Sequence, residues 1–349
     1  MKFLHTSDIH YGATPDANRP WGAERAQAVR DTFNYIIETC RREKIDCLII
    51  SGGLFDGCPT DENAGEVNAA FAGIPDTKVY VIAGEDDIVF PTSPVVSFRW
   101  AENVVYNADT EFNSLYLSNM TIEIVGASND CSRFDPARLD EVRPVQSSAS
   151  ILVFSSSDID ENKVPESFTY VALGGSHKSY VKRGGHLVNS GSPEPMGPAD
   201  AGKHGYYIGE IDCESGKITA LKYVTLPTVR YITLAVNITP ASSREDVIVH
   251  LRREMTDRGD GNIYRIKLSG LCNPEITMDL NDLKYEFRID RIDDFTKPDY
   301  DYVKLFRDHP SDMVGFFIKE MNREDISDMD RKALDFGINA LLKTADERK

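Results

Sequence analysis

The sequence predicts an α/β fold built on two packed sheets, and the order of apolar segments along the chain supports that prediction. Up to Ala83, short apolar strands alternate with helical segments, a rhythm typical of a largely parallel sheet with right-handed crossovers. From Leu115, strands follow one another through short connections, which indicates a second sheet packed on the first. Polar turns follow these strands, and open sheets hold ligands outside the carboxyl ends of their strands. We therefore expect the functional site at that edge.

Each element of the two sheets is predicted from its own pattern. After an opening strand that begins at Phe3, apolar residues recur at helical spacing and then give way to short apolar runs. The elements predicted for the first sheet are a helix over Ala23–Lys44, a strand over Asp46–Ser51, a helix over Asn63–Gly73 and a strand over Lys78–Ala83. The strands predicted for the second sheet are Leu115–Leu117, Thr121–Val125, Ser150–Phe154, Tyr170–Leu173, His186–Asn189, Tyr206–Ile211 and Ile218–Thr225.

Changes of pattern divide the chain into three predicted parts. A proline follows Leu226, and beyond it a strand pattern begins again. Ser242 and Glu245 have capping-box spacing ahead of a helix that runs through Arg258. Apolar stripes after Asp299 suit either a partner or this chain's own surface. The predicted domains are a large domain over residues 1–226, a small α/β capping domain over 227–298 and a helical tail over 299–349.

Composition excludes several classes of protein. The hydrophobic share of 41% and the charged share of 27% are ordinary for a soluble globular chain, and no segment has the pattern of a signal peptide or membrane span. The six cysteines form no Cys-x-x-Cys pair, which favours a reducing cytoplasm over a disulfide or zinc framework. The net charge of −17 argues against a surface built for sequence-independent nucleic-acid binding. Any contact with DNA therefore needs a local basic patch or a partner.

The first strand leads into a candidate metal-binding motif. Asp8 and His10 are two residues apart, and alternate residues of an extended chain point to the same face. A carboxylate and an imidazole on one face form half of a metal site. The alternative is that both side chains only hydrogen-bond the amides of the turn.

Five motifs occur in an order that resembles a known family. They are Asp8-Ile9-His10, Gly52-Gly53-Leu54-Phe55-Asp56, Gly84-Glu85-Asp86-Asp87, Gly174-Gly175-Ser176-His177 and Gly191-Ser192-Pro193-Glu194-Pro195. The segments resemble the calcineurin-like metallophosphoesterases, specifically their DNA repair exonuclease branch of the SbcD type, up to about Leu226 and more loosely beyond. The resemblance implies a four-layer αββα sandwich of two mixed sheets flanked by helices, with a small C-terminal α/β capping domain and a helical tail.

Several positions depart from the family's two-metal pattern. Gly53 stands where the family has the aspartate that bridges the two ions, and Asp86 stands where it has the catalytic histidine. Ser155 and Gly175 stand where it has histidine ligands of the second ion. Hydrolysis with two metals needs both ions held about 3.5–4 Å apart. The resemblance therefore implies a degenerate active site with no catalytic residue in its usual place.

The positions that match the family serve its first metal. They are Asp8, His10 and His177, and Glu85, at an asparagine ligand position, offers a further oxygen. Such a set suits one ion of Mn, Fe or Zn. We expect at most one divalent ion per chain, with none as the alternative.

Other polar residues near these motifs have two interpretations each. Glu85, Asp86 and Asp87 form either part of the site or a solvated acidic turn, and Asp56 is interpreted as a residue that ties down its own loop. The candidate phosphate contacts are the basic residues that follow His177, namely Lys178, Lys182 and Arg183, with a solvated surface as the alternative.

The resemblance implies a function in DNA repair. The first hypothesis is a nuclease-impaired, cytoplasmic subunit that forms a homodimer and works with a coiled-coil ATPase of the SbcC type. The alternative is an active one-metal phosphoesterase or exonuclease that hydrolyses phosphodiester bonds at DNA ends. A third hypothesis, a nucleic-acid-binding module without catalysis, is disfavoured by the charge of −17.

Overall fold

The computed structural model describes residues 1–131, 133–145, 149–322 and 326–346. The chain divides into two compact units, Met1–Arg230 and Tyr231–Lys349. The second unit contains most of the segment predicted as a capping domain together with the predicted tail, of which residues 323–325 and 347–349 lie outside the described ranges. No helix in the described ranges has the length and apolar character needed to cross a bilayer.

The first unit contains two six-stranded sheets. Along the chain its elements are β1 (Lys2–Thr6), α1 (Gly22–Glu43), β2 (Cys47–Ser51), α2 (Asp61–Ala72), β3 (Lys78–Ile82), α3 (Pro94–Ser97), β4 (Val104–Asn107), β5 (Asn113–Leu117), β6 (Ile122–Gly126), β7 (Ala149–Ser155), β8 (Tyr170–Gly174), β9 (Tyr180–Lys182), β10 (Leu187–Asn189), β11 (Gly205–Asp212) and β12 (Lys217–Thr225). The sheet orders are β12-β11-β1-β2-β3-β4 and β5-β6-β7-β8-β10-β9. Both sheets are mixed, as the family resemblance implies.

The strands β11 and β12 belong to the first sheet, and their predicted place in the second sheet was wrong. β11 lies antiparallel to β1, with Lys2 opposite Glu210, and β12 forms a hairpin with β11. The strands β1 to β4 are parallel neighbours. Alternation of apolar residues predicts that a segment is a strand, but it does not specify which sheet edge the strand joins.

Each layer is held by its own apolar cluster. Phe3, Ile49 and Tyr80 of the first sheet pack between the sheets against residues such as Ile151 of the second. The other face of the first sheet packs against α1 and α2, and α1 contributes Phe33 and neighbours at helical spacing. The outer face of the second sheet is covered by described residues of loops and 3₁₀ turns. Sheet packing places the carboxyl ends of β1, β2, β3, β7 and β8 at one edge.

The second unit is a small α/β assembly followed by helices. Its elements are β13 (Tyr231–Ile238), α4 (Arg244–Arg258), β14 (Ile263–Cys272), β15 (Arg288–Asp294), β16 (Lys297–Pro298), α5 (Tyr302–Asp308), α6 (Met313–Met321) and α7 (Asp328–Asp346). The strands pair in parallel around β14. Ser243, and not the predicted Ser242, caps α4 by accepting a hydrogen bond from the Asp246 amide, while Ser242 accepts one from the Thr239 amide.

Candidate metal centre

Four side chains of the first unit converge at the predicted edge of the sheets. Asp8, His10, Asp86 and His177 each offer one ligand atom, and these atoms all lie within 4.8 Å of one another. They come from the turns after β1, β3 and β8. The structure therefore brings together the three predicted ligands Asp8, His10 and His177, and it adds Asp86.

The turn after β1 has a backbone conformation that the sequence did not predict. Asp8 and His10 have φ values of 50° and 51°, in the left-handed region, so they do not lie on an extended strand. Their amides donate to the carbonyl oxygens of Gly52 and Gly53, at 3.0 and 2.9 Å. The prediction of a shared strand face was wrong, because the turn after β2 holds this segment in a tight conformation.

Asp8 is buried and fully engaged by its neighbours. Its carboxylate accepts a hydrogen bond from the Ser7 hydroxyl at 2.6 Å and contacts the Gly175 amide at 3.1 Å through each oxygen. Burial raises the pKa of Asp8, although these hydrogen bonds and the nearby histidines oppose that effect. The turn-amide contact proposed as the alternative role of Asp8 is thus present, and Asp8 also belongs to the group of four side chains.

The two histidines present the same ring nitrogen to the site. The Nε2 atoms of His10 and His177 are 3.0 Å apart. Two nitrogens that each lie about 2.1 Å from one ion are about 3 Å apart when the angle at the ion is a right angle. The arrangement of the two rings therefore fits a shared divalent ion.

A carboxylate lies near the other ring nitrogen, Nδ1, of each histidine. The Nδ1 atom of His177 is 2.8 Å from Oδ2 of Asp200, and the Nδ1 atom of His10 is 3.7 Å from Oδ1 of Asp56. A carboxylate that is hydrogen-bonded in this place, as Asp200 is to His177, orients a ligating imidazole and raises its basicity. The Nδ1 atom of His10 makes no hydrogen bond with a described residue. Burial lowers the pKa of each histidine, but the neighbouring carboxylates outweigh that effect and raise it. Asp200 was missed by the sequence analysis, because no motif marks it.

The three acidic residues after β3 have three different environments. Asp86 is exposed, and its Oδ2 atom is 3.9 Å from Nε2 of His10. Glu85 is not in the group, since its carboxylate accepts from the amides of Phe134 and Ser157 at 3.1 and 2.9 Å. Glu85 therefore holds two loops together through their amides. Asp86 lies on the side of the turn that faces the histidines.

Asp87 is buried beneath this turn. Its carboxylate accepts hydrogen bonds from the amides of Gly53, Gly84 and Phe55, at 3.0, 2.6 and 3.2 Å. Burial raises the pKa of Asp87, and the three amides oppose that rise. The interpretation of the three acidic residues as a solvated turn was therefore wrong for Asp87, which ties the turn after β2 to the turn after β3.

Main chain fills the positions where the family has second-metal side chains. A Cβ atom at Gly53 would lie 2.7 Å from Cα of Asp8, and one at Gly175 would lie 2.8 Å from the carbonyl carbon of Ser156. Both glycines have positive φ, at 65° and 91°, which disfavours any side chain. Neither position can take an aspartate or histidine without a shift of the backbone.

Ser155 lies in the same tightly packed region. A Cβ atom at Gly52 would lie 2.8 Å from Cβ of Ser155, and one at Gly84 would lie 2.9 Å from its Oγ. The Ser155 hydroxyl is buried without a hydrogen-bond partner in the described part of the chain. Gly52 and Gly84 therefore pack directly against this side chain.

The three predicted phosphate contacts are in different places. Lys178 lines a cavity of about 360 Å³ beside His177. The Nζ atom of Lys182 is 3.7 Å from a carboxylate oxygen of Glu161, and Arg183 donates to the Val164 carbonyl at 2.9 Å. Only Lys178 of the three adjoins the candidate metal centre.

Comparison with known proteins identifies a family for the N-terminal part of the chain. Residues 1–160 match the family described as calcineurin-like phosphoesterase. The first unit therefore contains a calcineurin-like metallophosphoesterase domain, and the expected family is confirmed.

The chain is also similar to particular proteins. It is 23% identical over 297 residues to the DNA double-strand break repair protein Mre11 of Sulfolobus acidocaldarius, which covers 77% of this chain and 75% of the relative. It is 38% identical over 56 residues to Mre11 of Aeropyrum pernix, which covers 16% of this chain and 12% of the relative. This similarity is consistent with the expected DNA repair branch.

Two solved structures are similar at 9% sequence identity. TT1561 of Thermus thermophilus has a TM-score of 0.38, with 64% of this chain and 98% of that chain covered. GAP50 of Plasmodium, described as the anchor in the inner membrane complex, has a TM-score of 0.36, with 65% and 89% covered.

Proposed function

We propose that this chain is a nuclease-impaired subunit of a DNA repair complex, with a degenerate metallophosphoesterase site that binds at most one divalent ion. The observation that carries the proposal is the close approach of main chain at Gly53 and Gly175, which leaves no room for the missing side chains. Without a bridging carboxylate, two ions cannot be held together to stabilise both the attacking and the leaving oxygen.

The proposed single ion is held by Asp8, His10, Asp86 and His177. Two imidazoles and two carboxylates suit Mn, Fe or Zn. A bound ion would act as a Lewis acid that polarises a phosphoryl oxygen. The residues of the chain have their own tasks: Asp200 orients His177, while the Gly175 amide orients Asp8.

The proposed partners are a second copy of the chain and a coiled-coil ATPase of the SbcC type. The similarity to proteins named for DNA double-strand break repair supports this proposal. The helices α5 to α7 carry exposed apolar side chains, which suit docking. Large examples are Phe306, Met313, Phe316 and Phe336. With a charge of −17, contact with DNA would use the partner or a local basic patch.

A cytoplasmic location is part of the proposal. None of the six cysteines, all of which the structure describes, forms a disulfide bond, and Cys40 and Cys47 are buried. Burial raises the pKa of each of these two thiols to about 12, as befits small apolar core residues. Cysteines without disulfide bonds are typical of a reducing compartment.

The alternative function is a one-metal phosphoesterase that acts on DNA ends. The exposure of Asp86 favours it, because a ligand at the protein surface leaves coordination positions open to a substrate. Both functions allow no more than one ion per chain, and they differ in whether the protein turns over a substrate.

Titration of the full-length protein with Mn²⁺ tests the metal centre. We expect no more than one tight Mn²⁺ site per chain. Asp86→Asn should weaken Mn²⁺ binding at least about tenfold, because the loss of a ligand should cost at least as much affinity as the loss of an outer-shell partner. The matched control is Glu85→Gln, at a position next to Asp86 in sequence but outside the group, which should leave Mn²⁺ affinity unchanged. Two tight Mn²⁺ sites per chain would contradict the proposal.

Incubation with end-labelled duplex DNA and Mn²⁺ separates the two functions. We expect no degradation by the wild-type protein. Degradation that disappears in Asp8→Ala would contradict the nuclease-impaired subunit and establish the one-metal enzyme.

A further inference from the structure

A cavity of about 360 Å³ adjoins the metal-binding group in the first unit. One wall is the turn that carries His177 and Lys178, and the other is the loop that carries Asp200 and Lys203. Because His177 is part of both, a group in the cavity would be next to an ion held by that histidine.

The first wall is fixed by hydrogen bonds from a neighbouring strand. The Asn189 side-chain amide donates to the carbonyl oxygens of Ser176 and Lys178, at 2.8 and 3.0 Å. The Ser192 amide donates to the His177 carbonyl at 3.2 Å. The backbone at Lys178 is thus held by buried neighbours, and its side chain is exposed.

The second wall is also held in place by hydrogen bonds. Asp200 accepts from the Met196 amide at 2.8 Å, and its carbonyl is 2.7 Å from Nε2 of the buried His204. The Leu226 amide donates to the His204 carbonyl at 2.9 Å, and the Tyr223 hydroxyl donates to the Lys203 carbonyl at 3.3 Å. The cavity is therefore preformed, which lowers the entropic cost of binding a ligand.

The charges of the lining favour an anion. Lys178 and Lys203 lie on the two walls and are both exposed, and neither ammonium group makes a hydrogen bond or ion pair with a described residue. Asp200 is the carboxylate of the lining, and its Oδ2 atom is engaged by His177 and by the Met196 amide. Lysine binds phosphate as a compact point charge.

We propose that this cavity is a phosphate subsite, in which Lys178 and Lys203 bind one phosphate group of a ligand whose neighbouring phosphate group faces the metal-binding group. The contact with the metal rests on the proposed function, whereas the lysine pair acts with or without an ion. The ligand class is a phosphate ester with successive phosphate groups, either a nucleic-acid strand or a nucleotide with a polyphosphate chain.

Calorimetric titration of the full-length protein tests the subsite. The probes are inorganic phosphate, a nucleoside triphosphate and a 5′-phosphorylated single-stranded oligonucleotide, each with and without Mn²⁺. We expect Lys178→Gln and Lys203→Gln each to weaken binding about tenfold, the order expected for one charge-assisted contact. The matched control is Lys222→Gln, an exposed lysine of β12 outside the lining, which should bind as the wild type does.

The outcomes separate the subsite from the metal centre. Phosphate binding that depends on both lysines without Mn²⁺ supports the subsite, even if no ion binds and the proposed metal centre fails. Tight Mn²⁺ binding with phosphate affinity indifferent to both lysines overturns the subsite and leaves the metal centre intact. Absence of binding for all three probes also overturns it. Tighter binding of the oligonucleotide than of the triphosphate identifies a strand as the ligand.

Discussion

Asp200 shows how one residue outside every motif shapes the candidate site. Its carboxylate is 2.8 Å from Nδ1 of His177 and also accepts from the Met196 amide. The hydrogen bond to His177 keeps the opposite nitrogen directed at His10. Asp56 has the corresponding place beside His10, but it is more exposed and 3.7 Å away. The two carboxylates therefore differ in how firmly they hold a ring.

We predict that Asp200→Asn weakens Mn²⁺ binding about 10- to 100-fold, as is typical when an outer-shell partner of a ligating histidine is changed. Asp56→Asn, at the longer distance, should have a smaller effect. Isothermal titration of both variants measures the difference. Equal losses in the two variants would contradict the assigned role of Asp200.

The burial of His5 makes the stability of the protein depend on pH. It is buried between Tyr170 and Ser51, with a hydroxyl oxygen 2.8 Å from each ring nitrogen. Burial lowers the pKa of His5 to about 3, below the value of 6.5 for an unperturbed histidine. Between these two values the unfolded chain binds a proton that the folded chain does not. The free energy of unfolding contributed by this residue therefore falls as pH decreases below 6.5.

We expect the stability advantage of the wild type over His5→Asn to shrink by about 1.4 kcal/mol per pH unit below about pH 6.5. Urea unfolding of both proteins at about pH 7.5 and about pH 5, on either side of that value, gives the difference. The raised pKa values of Asp8 and Asp87 make the free energy of unfolding rise as pH falls, which is the opposite direction. Because both proteins contain these residues, the difference between wild type and variant removes their contribution. A difference that does not change with pH would refute the prediction.

At the scale of elements, the site depends on how the turns after strands are tied to one another. The turn after β1 hydrogen-bonds to the turn after β2, and Asp87 joins the latter to the turn after β3. Gly175, after β8, completes the set by donating to Asp8. These contacts involve buried amides, so each turn needs its acceptor.

We predict that Asp87→Ala lowers the free energy of unfolding by at least about 3 kcal/mol, because it leaves the amides of Gly53, Phe55 and Gly84 without an acceptor at about 1–3 kcal/mol each. The matched control is the adjacent Asp86→Ala, which changes an exposed side chain and should shift stability by about 0.5 kcal/mol or less. Chemical denaturation of both variants checks the contrast. Similar losses in the two would contradict it.

At the scale of the whole molecule, the C-terminal helices combine buried and exposed apolar faces. Val314, Ile318, Leu334 and Ile338 form their own core. Outside that core, Phe316 and other large apolar side chains remain exposed. The core accounts for the folding of the helices, and the exposed set is the surface proposed for the partner.

We predict that removal of Asp299–Lys349 leaves the first unit folded and abolishes assembly with a coiled-coil ATPase. The double variant Phe316→Glu and Phe336→Glu, which changes only exposed positions, should also lose assembly while keeping the melting temperature. Co-purification with a candidate partner and thermal melts measure both effects. If truncation unfolds the whole protein, the helices belong to its core; if binding persists, the docking site lies elsewhere.

Local pattern predicted much of this fold, and contacts between distant segments explain the rest. The apolar runs of β2 and β3 identified those strands because both are buried on two faces. The edge joined by β11, the left-handed turn at Asp8 and the role of Asp200 depend on residues far away in the chain. The motifs identified Asp8, His10 and His177, whereas the choice of Asp86 over Glu85 depends on the path of the turn.

The close packing around Gly53 and Gly175 has a consequence for the order in which substitutions can accumulate. Each glycine lies where a new side chain meets backbone atoms, so Gly53→Asp or Gly175→His alone displaces the turn that positions Asp8. A gain of second-metal ligands would then have to begin with steps that damage the first-metal ligands. Libraries that vary one position at a time will therefore not find a two-metal variant of this chain. A search that replaces the turns after β2, β7 and β8 together, as whole segments, avoids that barrier.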